Sequence, residues 1–330
     1  MFKLAATGLG LAVGLAAAAP ALAQTIKIDG SSTVYPITAV VAEEFKAETG
    51  IDVVVSVSGT GGGFKKFAAG ETDVSNASRP VKGKEAKSLS GAGIEFIEIP
   101  VAYDGLSIVT NKANNWAGTL TVDQLRKIFL APGAKTWKQV AASFPDVPVK
   151  LYTPGEASGT YDYFVEVVCG KKDKATGKHK YGEMRDDLSR SEDDNILVTG
   201  VAGDPGAIGF FGCAYYFENE DKINAVKIVN KDGKAVAPTP ESIEDGSYNP
   251  FSRPLFIYAS AKSLNKPEVA KFIDFYFSEG PELAEEVGYV RLPASVYEAG
   301  KRKVKNKETG TVYLDSEGNK VSGSVTDLYN

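Results

Sequence analysis

The spacing of apolar positions changes period several times along this chain, and each change marks an element. TIKIDG and IDVVVSVSG are short runs of β-branched residues that stop at glycine, which predicts strands. Between them, PITAVVAEEFKAETG places Ile37, Val40, Val41 and Phe45 at helical spacing and ends on Gly50, a residue suited to close a helix. Strand, loop, helix, strand is a βαβ unit and implies a parallel sheet with a right-handed crossover. GFKKFAAGE predicts a further helix, TDVSNASRP a short strand and turn, and GIEFIEIPVAYDGLSIVTN a long β-rich run.

The pattern then restarts. TLTVDQLRKIFLA is helical, VKLYTP is strand-like, SGTYDYFVEVVCG opens a helix near Ser158, and GAIGFFGCAYYF and AVKIVN are β candidates. SRPLFIYAS is a second β-rich run, followed by the helical PEVAKFIDFYFSEGPELAEEVG and a polar, turn-rich tail. The β-rich runs near Val101 and Leu255 each sit between α/β blocks. A chain that crosses there and returns makes two lobes, residues 24–103 with 257–330 and residues 104–256, joined by paired hinge strands that let the lobes close on a ligand. Roughly 300 residues exceed the usual size of one domain, which agrees with two lobes.

Composition narrows the function. The opening MFKLAATGLGLAVGLAAAAPALAQ has the layout of a secretory signal peptide, residues 1–23, with cleavage expected after Ala23. No later stretch is long and apolar enough to span a bilayer. A formal charge of −5 speaks against nucleic acid as a partner. The single histidine, His179, lies in a lysine-rich polar run and reads as a solvated loop residue. No Ser/His/Asp set and no His/Cys cluster is evident, so no enzyme activity, metal or cofactor is expected. Cys169 and Cys213 are the only cysteines; an exported pair forms one disulfide or remains as two buried thiols.

Four stretches share one chemical character. Ser31, Ser32 and Thr33 lie between a strand and a helix, as do Ser58 and Thr60 in SVSGTGGG. Ser75, Ser78 and Arg79 fall at a strand end, and Ser158, Gly159 and Thr160 at a helix start. Ligands of open α/β sheets bind beyond the carboxyl ends of the strands, where helix N-termini offer unpaired N–H groups and partial positive charge. Any one of these hydroxyls alone reads as a helix cap; their recurrence in both halves reads as an anion cradle. The glycines admit backbone amides where a Cβ would intrude. Lys65 and Lys66 are followed by Phe67, so the glycine segment is not a Walker A loop. Arg79 is the fixed charge expected in the cradle, since a guanidinium meets two oxygens at once. Arg253 repeats the S-R-P string at the return crossing and is read as structural.

Taken as an ordered set, IDGSSTVYPIT, SGTGGGFKKF, TDVSNASRPV, PVAYDGLSIVTN, ASGTYDYF, GAIGFFGCAYY and NPFSRPLFIYAS resemble the periplasmic phosphate-binding protein of the Pst-type ABC transporter, from about Thr25 to the late 290s. The resemblance implies a type II periplasmic binding protein fold, two α/β lobes around a cleft. It also implies a periplasmic monomer that binds inorganic phosphate and hands it to an inner-membrane permease. Carried onto this chain, the family's phosphate ligands are Ser32, Thr33 and Val34; Ser58 and Thr60; Ser78 and Arg79; and Ser158, Gly159 and Thr160. Two departures stand out. The family's Arg just upstream of S-G-T is missing from YTPGEASGT, and Ser78 stands where the family has an Asp that accepts the phosphate proton and so excludes sulfate. Arg79 is read as the replacement cation, and Asp162 and Asp104 are the candidate proton acceptors. The rival readings are another tetrahedral oxyanion such as sulfate or an organic phosphate, an exported phosphatase, and a secreted adhesin or sensor.

Overall fold

The computed structural model describes residues 25–329 except 157, 174 and 192. The expected signal peptide and its cleavage after Ala23 lie outside the described residues. The first half of the chain contains β1 (Ile26–Gly30), α1 (Tyr35–Thr49), β2 (Val53–Val57), α2 (Thr60–Ala68), β3 (Val74–Ala77), α3 (Gly83–Gly91), β4 (Phe96–Asn111), β5 (Thr119–Leu120), α4 (Val122–Phe129) and α5 (Trp137–Val140). Then come β6 (Lys150–Pro154), α6 (Gly159–Val168), β7 (Ser189–Ser191), α7 (Asp194–Gly203), β8 (Ala207–Gly212), α8 (Cys213–Phe217), β9 (Ile223–Ala225), β10 (Lys227–Val229), β11 (Ala235–Val236) and α9 (Pro240–Glu244). The chain closes with β12 (Ser252–Ser260), α10 (Pro267–Ser278), α11 (Gly280–Glu286), α12 (Ala294–Asn306) and α13 (Val325–Tyr329).

The main sheet runs β2-β1-β3-β12-β4-β8-β6-β7. β1 is parallel to both β2 and β3, and β6 is parallel to both β8 and β7, so each end is a βαβ layer of its own. β4 joins them. This strand of 16 residues is buried along its whole length. Its first part, Phe96–Gly105, pairs antiparallel with β12, and Leu106–Thr110 pairs with β8. The register of β4 with β12 shifts between Leu255 and Phe256, a bulge that bends the pair where the chain changes lobe. The protein therefore has two α/β lobes with β4 and β12 crossing between them, as the two β-rich runs predict.

Local sequence explains the ends that shape the cleft. α1 begins with proline in its first turn, where the missing N–H costs nothing, and closes on Gly50 in the left-handed conformation. α2 begins at Thr60, so the three glycines 61–63 form its first turn rather than a free loop. A Cβ on Gly62 would lie 2.5 Å from Ser58 Oγ, and one on Gly63 would lie 2.5 Å from the Cα of Gly30. The helix packs directly on the end of β1 only because those side chains are absent. The expected helix over PEVAKFIDFYFSEGPELAEEVG is divided into α10 and α11 at Glu279, just ahead of Gly280 and Pro281.

The polar tail packs on the first lobe and reaches the second. Buried Glu98 accepts hydrogen bonds from the hydroxyls of Thr311 (2.6 Å), Tyr258 (2.7 Å) and Tyr329 (2.9 Å). Thr326 Oγ1 donates to Glu244 of α9 at 3.0 Å.

Both cysteines are free and buried, which corrects the disulfide alternative. Cys213 Sγ lies beside Gly105 on β4 and accepts from Ser107 Oγ at 3.1 Å. Cys169 ends α6, where its carbonyl accepts the Tyr181 amide. Burial pushes the Cys169 thiol up to about 12 and raises that of Cys213 further.

Candidate functional site

The loops that follow β1, β2 and β3 are laced together. The Ser31 amide donates to the Asn76 carbonyl at 3.0 Å, and the Ser58 amide to the Gly30 carbonyl at 3.1 Å. Gly30 itself has φ +151°, and a Cβ there would lie 2.1 Å from the Asn76 oxygen. Thr60 Oγ1 lies 3.2 Å from Ser78 Oγ and also accepts the Ser78 amide at 3.2 Å. Ser75 is buried in β3, next to Gly63. Three of the four hydroxyl-bearing stretches therefore sit side by side on the first lobe.

The fourth comes from the second lobe and touches them. Ser158 caps α6, its Oγ accepting the amides of Thr160 (3.2 Å) and Tyr161 (3.4 Å). The next residue, Gly159, is so close to the first lobe that a Cβ would lie 3.0 Å from the Thr33 Cα and 3.2 Å from the Tyr289 hydroxyl. Ser32 Oγ donates across the cleft to Asp162 at 3.0 Å. The turn 31–34 and the start of α6 thus face each other, with Val34 buried at the beginning of α1. Helix starts leave amides without intrahelical acceptors, so α1, α2 and α6 bring such amides to this region.

Two expected ligands have other partners. The Ser58 hydroxyl donates to Asp29, which also receives Lys66 Nζ at 2.6 Å. The Arg79 guanidinium is held by both oxygens of Glu85, at 2.8 and 2.7 Å, and by the Pro80 carbonyl at 3.0 Å. Its fork is spent on α3 rather than on the turn 31–34. Burial alone would raise Glu85, but the hydrogen bonds from Arg79 and the Lys82 amide hold its carboxyl below the ordinary value. Ser78 and Arg79 line an interlobe cavity of about 350 Å³ together with Tyr163, Glu166, Lys171 and Arg253.

Arg253 stands where sequence reasoning expected only a structural residue. Its Nη2 donates to Thr33 Oγ1 at 3.0 Å, its Nε to Asp104 at 3.1 Å, and its Nη1 to Glu166 at 3.0 Å. Its guanidinium carbon lies 3.7 Å from the centre of the Tyr163 ring. Asp104, the second candidate acceptor, is buried and committed to this arginine. Burial pushes its carboxyl up to about 6, against the pull of Arg253. Tyr289, also unremarked in the sequence, donates its hydroxyl to the Thr33 carbonyl at 2.6 Å. The one available signal was the repeated S-R-P string: the arginine and proline of both copies line the same cavity. Among the described residues, no group of three or more His, Cys, Asp or Glu side chains is placed to hold a metal ion. Nor is any helix among them long and apolar enough to cross a membrane.

Residues 15–280 match the PBP superfamily domain. The chain belongs to the PBP superfamily. Among its relatives in that superfamily, Protein SphX of Synechococcus elongatus is 46% identical over 307 residues, covering 92% of this chain and 87% of the relative. The phosphate-binding protein PstS of Staphylococcus saprophyticus is 41% identical over 275 residues, 82% of each chain. A crystal structure of a possible phosphate-binding protein from Planctomyces limnophilus superposes with a TM-score of 0.80 at 46% identity, covering 87% of this chain and all of that one. The two lobes, the crossing strands and the cleft between them are the type II periplasmic binding protein fold.

Proposed function

We propose that this chain is an exported solute-binding protein that captures inorganic phosphate between its lobes and delivers it to an inner-membrane ABC permease. One observation carries the reading: the hydroxyl-bearing turn 31–34 of the first lobe meets the S-G-T helix start of the second, with Asp162 in reach of Ser32 at 3.0 Å. The names of the PstS relative and the superposed structure support it. The ligand set is Ser32, Thr33, the Val34 amide, Thr60, Ser78, Ser158, Gly159 and Thr160, with Ser58 and Arg79 bracing the neighbouring turns through Asp29 and Glu85. Asp162 is the proton acceptor, because it faces the cleft, whereas Asp104 is occupied by Arg253.

The mechanism is binding and release, with no bond made or broken. Lobe closure strips water from the ion, and neutral hydroxyls, helix-start amides and their partial charges replace it. At neutral pH phosphate keeps a proton and sulfate has none. A carboxylate in the pocket therefore accepts from phosphate and repels sulfate, because a buried acceptor left without a donor is costly. The lobes are residues 24–103 with 257–330 and residues 104–256, consistent with the crossings at β4 and β12. A monomer suffices, since all these groups come from one chain. The N-terminal A-x-A leader supports export to the periplasm.

Titration calorimetry of the mature protein with phosphate and with sulfate tests the reading. Tight phosphate binding with sulfate at least a hundredfold weaker is expected. Equal affinities would remove the role given to Asp162, and sulfate alone binding would replace the ligand.

A further inference from the structure

We propose that Arg253 is the positioning residue of the cleft: it turns the Thr33 hydroxyl into an obligate donor toward the anion and ties the closed lobes together. The proposal rests on the phosphate reading above and assigns a part of that site to a residue outside the ligand set.

One guanidinium reaches three segments that are far apart in the chain. It donates to Asp104 on the outgoing crossing, to Glu166 on α6 of the second lobe, and to Thr33 on the first lobe. Its side chain is 15% exposed and lies flat against Tyr163, which fixes the direction of the fork. Arginine has only donors and keeps its charge. At the contact with Thr33, the roles are therefore settled: Nη2–H donates and Oγ1 accepts. A threonine hydroxyl has one hydrogen and two lone pairs. With Arg253 on a lone pair, the hydrogen must point elsewhere, toward an acceptor in the cleft. Ser158 follows the same logic, since its Oγ accepts two amides of α6 and keeps its hydrogen to give. Donors oriented before the ligand arrives lose less freedom on binding.

The second consequence concerns closure. Thr33 and Glu166 belong to opposite lobes, and both end on Arg253. Opening the cleft must break at least one of these bonds. The bridge is made without Arg253 entering the ligand shell, so its loss is felt through Thr33 and through the release rate.

The test is a double-mutant cycle on the full mature chain with inorganic phosphate, Arg253→Lys against Thr33→Val, read by calorimetry and by stopped-flow release. Lysine keeps a charge opposite Asp104 but cannot hold three acceptors with a planar fork. Arg253→Lys is expected to weaken phosphate about tenfold, mainly through faster release, and Thr33→Val by a similar factor. The double variant should be little weaker than either single one. Losses that simply multiply, or wild-type affinity in Arg253→Lys, would overturn the proposal. Should Arg253→Lys not fold, Glu166→Gln removes the charge that steadies the fork within the second lobe and so loosens its hold on Thr33 across the cleft: release about two- to threefold faster supports the tie, and unchanged release overturns it. If the wild-type chain itself binds no phosphate, the phosphate reading fails, and this proposal fails with it for a separately visible reason.

Discussion

Asp104 and Arg253 are register partners on β4 and β12, and their side chains close the pair at 3.1 Å where the chain passes between lobes. The pairing has a cost that depends on pH. Burial, with a smaller contribution from Glu166, pushes the Asp104 carboxyl from 3.8 up to about 6, despite Arg253. A carboxyl whose folded pKa exceeds its unfolded one binds more protons in the folded state. Its contribution to stability is therefore greatest below about pH 4 and declines as pH rises to about 6, by on the order of 3 kcal/mol. Asp73 and Glu85 run the other way: hydrogen bonds outweigh burial and hold their carboxyls low, so their contributions are lost as pH falls. Urea denaturation of wild type and Asp104→Asn at pH 4 and pH 7 separates the two effects. The variant should gain about 2 to 3 kcal/mol on the wild type between those values; a difference that stays flat with pH would refute the assignment.

Asp162 governs anion choice in the proposed site. Replacing it with asparagine turns one acceptor oxygen into a donor, which suits sulfate and no longer matches the proton of phosphate. Asp162→Asn is expected to weaken phosphate by about one to two orders of magnitude and to bring sulfate closer to it, as measured by calorimetry with both anions. Retained discrimination in the variant would move the acceptor role elsewhere.

These two carboxylates show what the sequence can and cannot disclose. The crossings were legible because β4 and β12 are rich in apolar and β-branched residues, Phe96, Ile97, Ile99 and Val101 in one and Leu255, Phe256 and Ile257 in the other, so burial shows as composition. The start of α6 was legible because a cap is local: Ser158 meets amides two and three residues on. Arg79 and Arg253 were not separable. Both sit in S-R-P, but the Glu85 that takes Arg79 is six residues away, whereas Arg253 finds Thr33 at a separation of 220 and Asp104 at 149. No local pattern encodes contacts made only after two lobes have formed. The glycines of α2 were legible as positions where a Cβ is forbidden, but not that the obstacles are Gly30 and Ser58 of their own lobe.

Gly159 sets how far the lobes close. An added methyl would sit 3.0 Å from the Thr33 Cα, tighter than backbone permits without movement, and the obstruction belongs to the opposite lobe. Overpacking of this kind costs about 1–3 kcal/mol. Because the clash exists only when the cleft is shut, Gly159→Ala should weaken phosphate by roughly ten- to a hundredfold while leaving ligand-free thermal unfolding within about 1 °C of wild type. Calorimetry beside a thermal melt checks both halves. Unaltered affinity would mean that the turn 31–34 and α6 do not approach this closely in the bound state.

Glu98 anchors the tail, and the cost of removing it follows from which partners are left behind. Three hydroxyls, from Tyr258, Thr311 and Tyr329, donate to one carboxylate in a place shielded from water, and the Val312 amide adds a longer contact at 3.3 Å. Truncating the carboxylate orphans several donors at once, whereas removing one hydroxyl leaves the charge still served by the others. Hydrogen bonds to charged groups contribute about 1.5–3 kcal/mol, and breaking a buried charged network from the charged side costs about 3–5 kcal/mol. Tyr329→Phe should therefore lose about 1–2 kcal/mol, and Glu98→Ala about 3–5 kcal/mol, in urea unfolding at neutral pH. Tyr258 also accepts the Val81 amide at 2.9 Å, just beyond the Ser78–Arg79 turn, so Glu98→Ala is expected to weaken phosphate as well, while Tyr329→Phe leaves affinity within about twofold. Equal losses of stability in the two variants would contradict this ordering, because the carboxylate serves several donors at once and no single donor does.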